Sequence, residues 1–229
     1  MKKFTLLAFL LCTTITTAQF TEVLTSDRPG MALSPNTVGK YVFQTQTGID
    51  FQDGFSISNP NSYIRFGLSE KLEVNTSFSF YGSEFISDLV SINIGARYRF
   101  NSQNSSYSSS IQVTQFFYNE QANTSQLTYI FGGNFTDKLS YTTNLGISIA
   151  EFSTIENTHF VANIGYVINP KLGVFVESFG SIWDQNFTVN FDAGAYYLLS
   201  NNLQFDISMG DNNGFFTSAG VSWRIPYKK

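Results

Sequence analysis

Phe187-Thr188-Val189-Asn190-Phe191-Asp192-Ala193-Gly194-Ala195-Tyr196-Tyr197-Leu198-Leu199 carries apolar side chains at every odd position: Phe187, Val189, Phe191, Ala193, Ala195, Tyr197 and Leu199. The even positions begin Thr188, Asn190, Asp192 and Gly194. A period of two is that of a β-strand, whose successive side chains point to opposite faces. The same split recurs in Val90, Ile92, Ile94, Ala96, Tyr98 and Phe100 against Ser91, Asn93, Gly95, Arg97 and Arg99. Leu203, Phe205, Ile207 and Met209 stand likewise against Gln204, Asp206 and Ser208. A soluble sandwich also alternates, but its wet face usually carries Lys and Glu. Here that face is mostly Ser, Thr, Asn, Gln and Gly, which suits a narrow, wet interior, while the apolar face suits lipid.

Composition narrows the choice to the same class. Of 229 residues, 42% are hydrophobic, 17% aromatic and only 13% charged, about half the roughly 25% charge of an average soluble domain. With 24 Phe, 12 Tyr and 2 Trp, the chain has ample apolar area to offset its conformational entropy, which excludes disorder. Beyond the N-terminus no stretch approaches the roughly 18 uncharged apolar residues of a spanning helix. Many apolar residues without apolar runs imply sheet.

Residues 1–18 have the form of a signal peptide: Lys2 and Lys3, an apolar stretch from Phe4 to Cys12, then Thr16-Thr17-Ala18 before Gln19. Cys12 is the only cysteine, so the mature chain is expected to lack disulfides, thiolate metal sites and a cysteine nucleophile. Removing Lys2 and Lys3 from 13 basic residues leaves 11 against 17 acids. That balance excludes nucleic acid as a partner.

Four segments share one grammar: Ser69-Glu70-Lys71-Leu72, Thr136-Asp137-Lys138-Leu139, Asn169-Pro170-Lys171-Leu172 and Ser200-Asn201-Asn202-Leu203. Each is a tight polar turn followed by an alternating run, and the spacing implies two-stranded hairpins. Asn101 to Ser106 supplies a fifth turn. Six longer connections alternate with these, at 50–61, 81–89, 119–125, 151–157, 180–186 and 211–214. The result is an all-β, single antiparallel up-and-down transmembrane barrel of about 12 strands. The strands fall near 40–49, 62–68, 72–80, 90–100, 107–118, 126–135, 139–150, 158–168, 172–179, 187–199, 203–210 and 215–227. Tyr98, Phe100, Phe135, Tyr141, Tyr197, Trp223 and Tyr227 cluster towards the short-turn side, as an interfacial girdle requires. The last strand ends in an aromatic, resembling the assembly signal of outer-membrane barrels, although Lys228 and Lys229 follow.

With the short turns on the periplasmic side, Arg65, Arg97, Arg99 and Arg224 point inward near that end, as does Glu73. Glu177, Asp192 and Asp206 are further inward acids. Such charges either pair to close the lumen or form a constriction that selects solutes. The outer connections hold Asp50, Asp53, Glu84, Asp88, Glu120, Glu151, Glu156, Asp184 and Asp211 but no Lys or Arg. Two readings stand: ordinary solvation of exposed loops, or an acidic vestibule that concentrates cations.

Before the first strand come Thr25-Ser26-Asp27-Arg28-Pro29-Gly30, Ser34-Pro35-Asn36-Thr37-Val38 and Phe43-Gln44-Thr45-Gln46-Thr47-Gly48. Two prolines and a glycine forbid helix or a long strand. From Thr25 to Gly48 the series resembles the opening of the outer-membrane proteins grouped as transporters of the meta-pathway of phenol degradation. Gln46 stands where that family usually has Glu, and Gly39-Lys40-Tyr41 replaces its common Pro-Lys-Gly. The resemblance implies a barrel that works as a transporter or passive channel for small solutes, hydrophobic or aromatic ones among them. The rival is a structural or interaction barrel with a closed lumen and loop-borne function.

The division expected is a signal peptide at 1–18, an N-terminal segment at 19–39 that plugs the lumen, and a barrel at 40–229. In the plug, Asp27 would accept from an inward arginine and Arg28 would fork onto Glu73; a solvated periplasmic tail is the competing arrangement. The partners implied are outer-membrane lipid, a small-molecule solute and the barrel assembly machinery. No cofactor or metal motif is present. The single histidine, His159, lies near the outer rim, and Ser153 and Asn157 beside it fix no hydrolase geometry, so the chain reads as no enzyme.

Overall fold

The computed structural model describes residues 21–52, 56–82, 88–101, 105–119, 121–184 and 186–225. The signal-peptide reading of residues 1–18 and the loop acids Asp53, Glu84 and Glu120 lie outside them, as does Tyr227.

Twelve strands follow in chain order: β1 Phe43–Gln52, β2 Ile57–Gly67, β3 Leu72–Tyr81, β4 Asp88–Arg99, β5 Tyr107–Tyr118, β6 Thr124–Asn134, β7 Leu139–Ala150, β8 Thr154–Asn169, β9 Leu172–Trp183, β10 Asn186–Ser200, β11 Leu203–Asp211 and β12 Phe215–Ile225. Each pairs antiparallel with its chain neighbour, and β1 pairs with β12 to close the barrel, so no sheet edge is left open. No described residue is helical.

The barrel is inside out. Fully buried side chains are chiefly polar, among them Gln44, Arg65, Glu73, Arg97 and Asn144, while Ile94, Val176, Phe187, Phe191, Ile207 and Met209 are each more than half exposed. This is the distribution of a wall whose solvent is hydrocarbon. On the outer face at the short-turn end, Phe135 packs at a tilt against Tyr141 with ring centroids 4.6 Å apart and Tyr98 meets Phe100 edge-on at 5.6 Å, a placement suited to the lipid–water interface.

The recurrent turn grammar has a local cause. Ser69 Oγ accepts from the Lys71 and Leu72 amides, Thr136 Oγ1 from Lys138 and Leu139, and Asn169 Oδ1 from Lys171 and Leu172. A short polar side chain at the first position thus satisfies the turn amides that no strand can reach.

Three strand starts differ most from those read in the sequence. β1 begins at Phe43 rather than 40, because Gly39 and Tyr41 take left-handed φ of 93° and 61° and the Tyr41 amide is drawn to Gly67 O at 2.7 Å. β2 begins at Ile57 and runs through Pro60, opposite Ile49. β8 begins at Thr154, since 151–153 is a tight turn in which the Ser153 amide donates to Ala150 O at 2.9 Å. Asp50, placed in an outer loop by the sequence reading, is therefore an inward residue of β1; Asp88 opens β4, and Glu156 lies within β8. Both ends of the described chain lie at the Lys71, Lys138 and Lys171 end, where Leu24 N bonds Asn201 O and Arg224 N bonds Asn202 O. An even strand number requires the barrel to begin and end on one side.

Candidate functional site

Residues 21–38 have no regular structure yet run through the lumen, so their peptide groups need partners from the wall. The wall provides them. Arg224 donates to Thr21 O at 2.8 Å and Glu22 O at 2.9 Å, and Gln44 Nε2 donates to Thr25 O at 2.9 Å. Gln46 Oε1 accepts the Asp27 amide at 3.0 Å. At the tip, the Met31 and Ala32 amides both donate to Glu177, and Asn144 brackets Leu33 through its amide at 2.7 Å and its carbonyl at 3.0 Å. On the way back, Arg97 reaches Ser34 O, Arg65 reaches Asn36 O, and the Val38 amide donates to Glu73 Oε2 at 2.9 Å.

Asp27 completes a four-charge cluster. Its carboxylate lies 2.9 Å from Arg97 Nη2 and 3.4 Å from Arg65 Nη1, while Glu73 forks onto Arg65 through two bonds of 2.9 Å and stands 3.8 Å from Arg97. Two arginines and two acids, all but dry, sum to zero. Three of the four belong to the wall, so the wall alone would hold an unbalanced positive charge.

Arg28 does not fork onto Glu73, which Arg65 already occupies. It turns instead to the adjoining β11, β12, β1 and β2 part of the wall, where Nε meets Asp206 at 3.2 Å, Nη1 meets Asn61 at 3.1 Å and Nη2 meets Ser218 at 2.9 Å. Its guanidinium rests on Gly48 and Gly220, which face each other across the β1–β12 pair; a Cβ on either would approach it to 2.3 Å. Asn61 in turn donates to Asp50 at 3.2 Å. Arg99 is apart from the charge clusters and donates to Ser108 at 2.9 Å. Glu177 and Asp192 are cross-strand partners of β9 and β10.

At Gly30 the backbone has φ 90°, and a Cβ would lie 2.8 Å from both Glu177 Oε1 and Phe175. Only glycine combines that conformation with so close an approach. Gln44 and Gln46 entered the sequence reading only as part of the run into the first strand, and their role as plug ligands carries no sequence signature of its own. Also unread were the inward apolar residues Val161, Phe179 and Phe216, which form a buried cluster against Ala32 of the plug. His159 faces Thr128 inside the barrel at 3.1 Å, and Ser153 is in a turn. An outer-wall Ser–His pair is not formed.

Burial opposes the charge of Asp27, but Arg65 and Arg97, aided by the Ser34 amide, prevail and hold its carboxyl below its ordinary value. A carboxyl lowered by folding contributes its full stability above the unfolded value of about 3.9 and loses it as pH falls through the lower folded value. Conductance recorded in planar bilayers is therefore expected to stay level from pH 7 to about pH 4 and to rise below it. A rise already complete at pH 5 would show that Asp27 is not the controlling latch.

The plug divides the lumen. The chamber on the short-turn side has a volume of about 460 Å³ and is lined by Arg99, Tyr196 and Gln204 among others. The chamber on the other side, about 370 Å³, is lined by Asp50, Tyr63, Phe116, Asp192 and Phe216. Arg28 borders both.

A closed inside-out sheet with its own N-terminal segment bound in the lumen defines a transmembrane β-barrel. Solved structures agree on the fold. The chain is similar to the KdgM porin, with a TM-score of 0.67 at 12% identity, over 81% of this chain and 99% of that one. It is similar to the NanC porin at 0.61 and 7% identity, over 80% and 100%. It is also similar to the COG4313 outer membrane channel from Pseudomonas putida F1 at 0.60 and 11% identity, over 87% and 100%. At such identities the likeness is one of fold. No family model matches the chain, and no curated protein matches its sequence.

Proposed function

We propose that the protein is a passive outer-membrane channel for small solutes, with residues 21–38 as a resident plug. The observation that carries this reading is the polar-lined lumen divided into chambers of about 370 and 460 Å³ by a segment held chiefly by side chains of the wall. A purely structural barrel has no need of two chambers. The channel-like neighbours and the signal-peptide pattern support an outer-membrane location, with lipid around the wall and the assembly machinery acting on the last strand.

The lumen supports solutes with apolar or aromatic bodies, because Phe116 and Phe216 line the outer chamber. The resemblance of Thr25 to Gly48 to the phenol-pathway transporters points the same way. One structure of KdgM holds disordered oligogalacturonate, a chain of uronic acids; the outer chamber here, with Asp50 and Asp192 in its wall, does not suit such an anion.

Reconstitution in planar bilayers tests the reading. The full chain should give small, discrete conductance steps that favour K⁺ over Cl⁻ at low ionic strength, with the bias fading as salt screens the chamber. Asp50→Asn should reduce the bias. Complete absence of conductance, in wild type and in plug variants alike, would support the structural barrel instead.

A further inference from the structure

Of three clusters of facing charges in the lumen, two balance: Asp27 and Glu73 against Arg65 and Arg97, and Asp206 against Arg28. The third does not. Glu177 and Asp192 lie side by side on β9 and β10 with no salt bridge to either among the described residues. Glu177 is saturated by the Met31 and Ala32 amides and by Asn163 Nδ2 at 2.9 Å. Asp192 is only 4% exposed and lines the outer chamber; its polar neighbour across the ladder is the Glu177 carboxyl, and with both acids ionised no protein donor reaches either Asp192 oxygen. An ionised carboxylate so placed is costly unless something supplies donors and positive charge.

The rest of the chamber narrows what that something is. Asn93 Oδ1 also lacks a partner there, as do the Tyr63 and Ser208 hydroxyls, and Gln46 Nε2 is the one obligate donor left over. The obligate acceptors, both Asp192 oxygens and Asn93 Oδ1, therefore outnumber the one obligate donor atom, and the hydroxyls can serve either way, so a charged N–H guest suits the chamber. Phe116 and Phe216 add aromatic surface, which attracts cations to its faces and apolar bodies alike. A volume of about 370 Å³ falls at the small end of ligand cavities. A bare metal ion is disfavoured, since no group of three or more potential ligands occurs among the described residues.

We propose that the outer chamber binds small protonated amines with an aromatic or apolar body, the ammonium group on Asp192 and the body against Phe116 and Phe216. This rests on the channel reading only in requiring that the guest reach the lumen, and it names a substrate class for it.

Phenethylamine is the probe, with phenethyl alcohol and phenylacetate as shape-matched controls, titrated calorimetrically into the purified full-length barrel in detergent micelles. Phenethylamine should bind and both controls should bind at least about tenfold more weakly, the loss expected when a charge-assisted hydrogen bond is removed. Asp192→Asn, which keeps size and shape, should weaken phenethylamine by a similar factor, whereas Asp211→Asn at the end of β11 should not. Heat-modifiable migration of each variant verifies that the barrel is folded. Equal affinity for amine and alcohol, equal affinity in wild type and Asp192→Asn, or no amine binding by a folded barrel would each overturn the proposal; the last would leave the two carboxyls sharing a proton between them. Binding without conductance would refute the channel and keep the site. Conductance without binding would do the reverse.

Discussion

Asp27→Ala should raise single-channel conductance more than any other single substitution in the protein. The mutation removes the plug's only charge in the four-residue cluster and leaves Arg65, Arg97 and Glu73 as a dry wall with one positive charge in excess. Removing one partner from a buried ionic group costs about 3–5 kcal/mol. Three kcal/mol alone shifts a closed-to-open ratio by about two orders of magnitude. The Asp27 carboxylate also accepts the Ser34 amide at 2.6 Å, so its loss frees the descending and returning limbs of the plug from each other. Long openings in bilayer recordings are the expected result, together with faster proteolysis between residues 21 and 38 while the barrel keeps its heat-modifiable migration. Arg97→Ala leaves the two acids one charge in excess but should open the pore less, because Asp27 keeps Arg65 at 3.4 Å and the Ser34 amide at 2.6 Å, so the two limbs of the plug stay joined. Asp27→Ala channels indistinguishable from wild type would mean that the segment stays in place through its backbone bonds alone.

The second large effect concerns the seat of Arg28. Asp206 has a fully buried side chain and one cation, Arg28, at 3.2 Å. Arg28 can lie there because Gly48 and Gly220 leave bare backbone beneath it. A methyl at position 220 would meet the guanidinium at 2.3 Å while Asp206, Asn61 and Ser218 hold it from three sides. Gly220→Ala should therefore destabilise the barrel nearly as much as Arg28→Ala, by roughly 1.5–3 kcal/mol for a charged hydrogen-bonded group. The double variant should cost little more than either single one, since both remove the same interaction. Urea unfolding in micelles checks this. Additive losses would show that Gly220 serves β-strand geometry rather than Arg28.

Alternation carried most of the fold in the sequence. A side chain's face follows from parity alone, and lipid outside with polar atoms inside makes the parity visible in β4, β10 and β11 as residue type. Parity weakened on the other half of the lumen: Val161, Phe175 and Phe179 point inward although apolar, because they pack against the plug or line a chamber instead of meeting bulk water. Loop reading was the poorest part. Thr154 to Asn157 are polar enough to pass for a loop, yet three of those four pair across to β7, and polar side chains are no obstacle to a ladder built from backbone groups. For the plug, Asp27 was identifiable as a charge that needed a partner. Which arginine it meets depends on the path of a chain with no periodicity, and nothing local distinguishes Arg28 facing Glu73 from Arg28 facing Asp206.

Arg28 also joins the two ends of the sheet. Gly48 belongs to the first strand and Gly220 to the last, and these are neighbours only because the barrel has closed. Before that seam forms, the seat of Arg28 is in two halves at opposite ends of the chain, and Ser218 and Asn61 are likewise apart. The plug cannot complete its binding site on an open sheet. The seat of Arg28 thus depends on closure in this register: first and last strands that met out of register would not set Gly48 opposite Gly220.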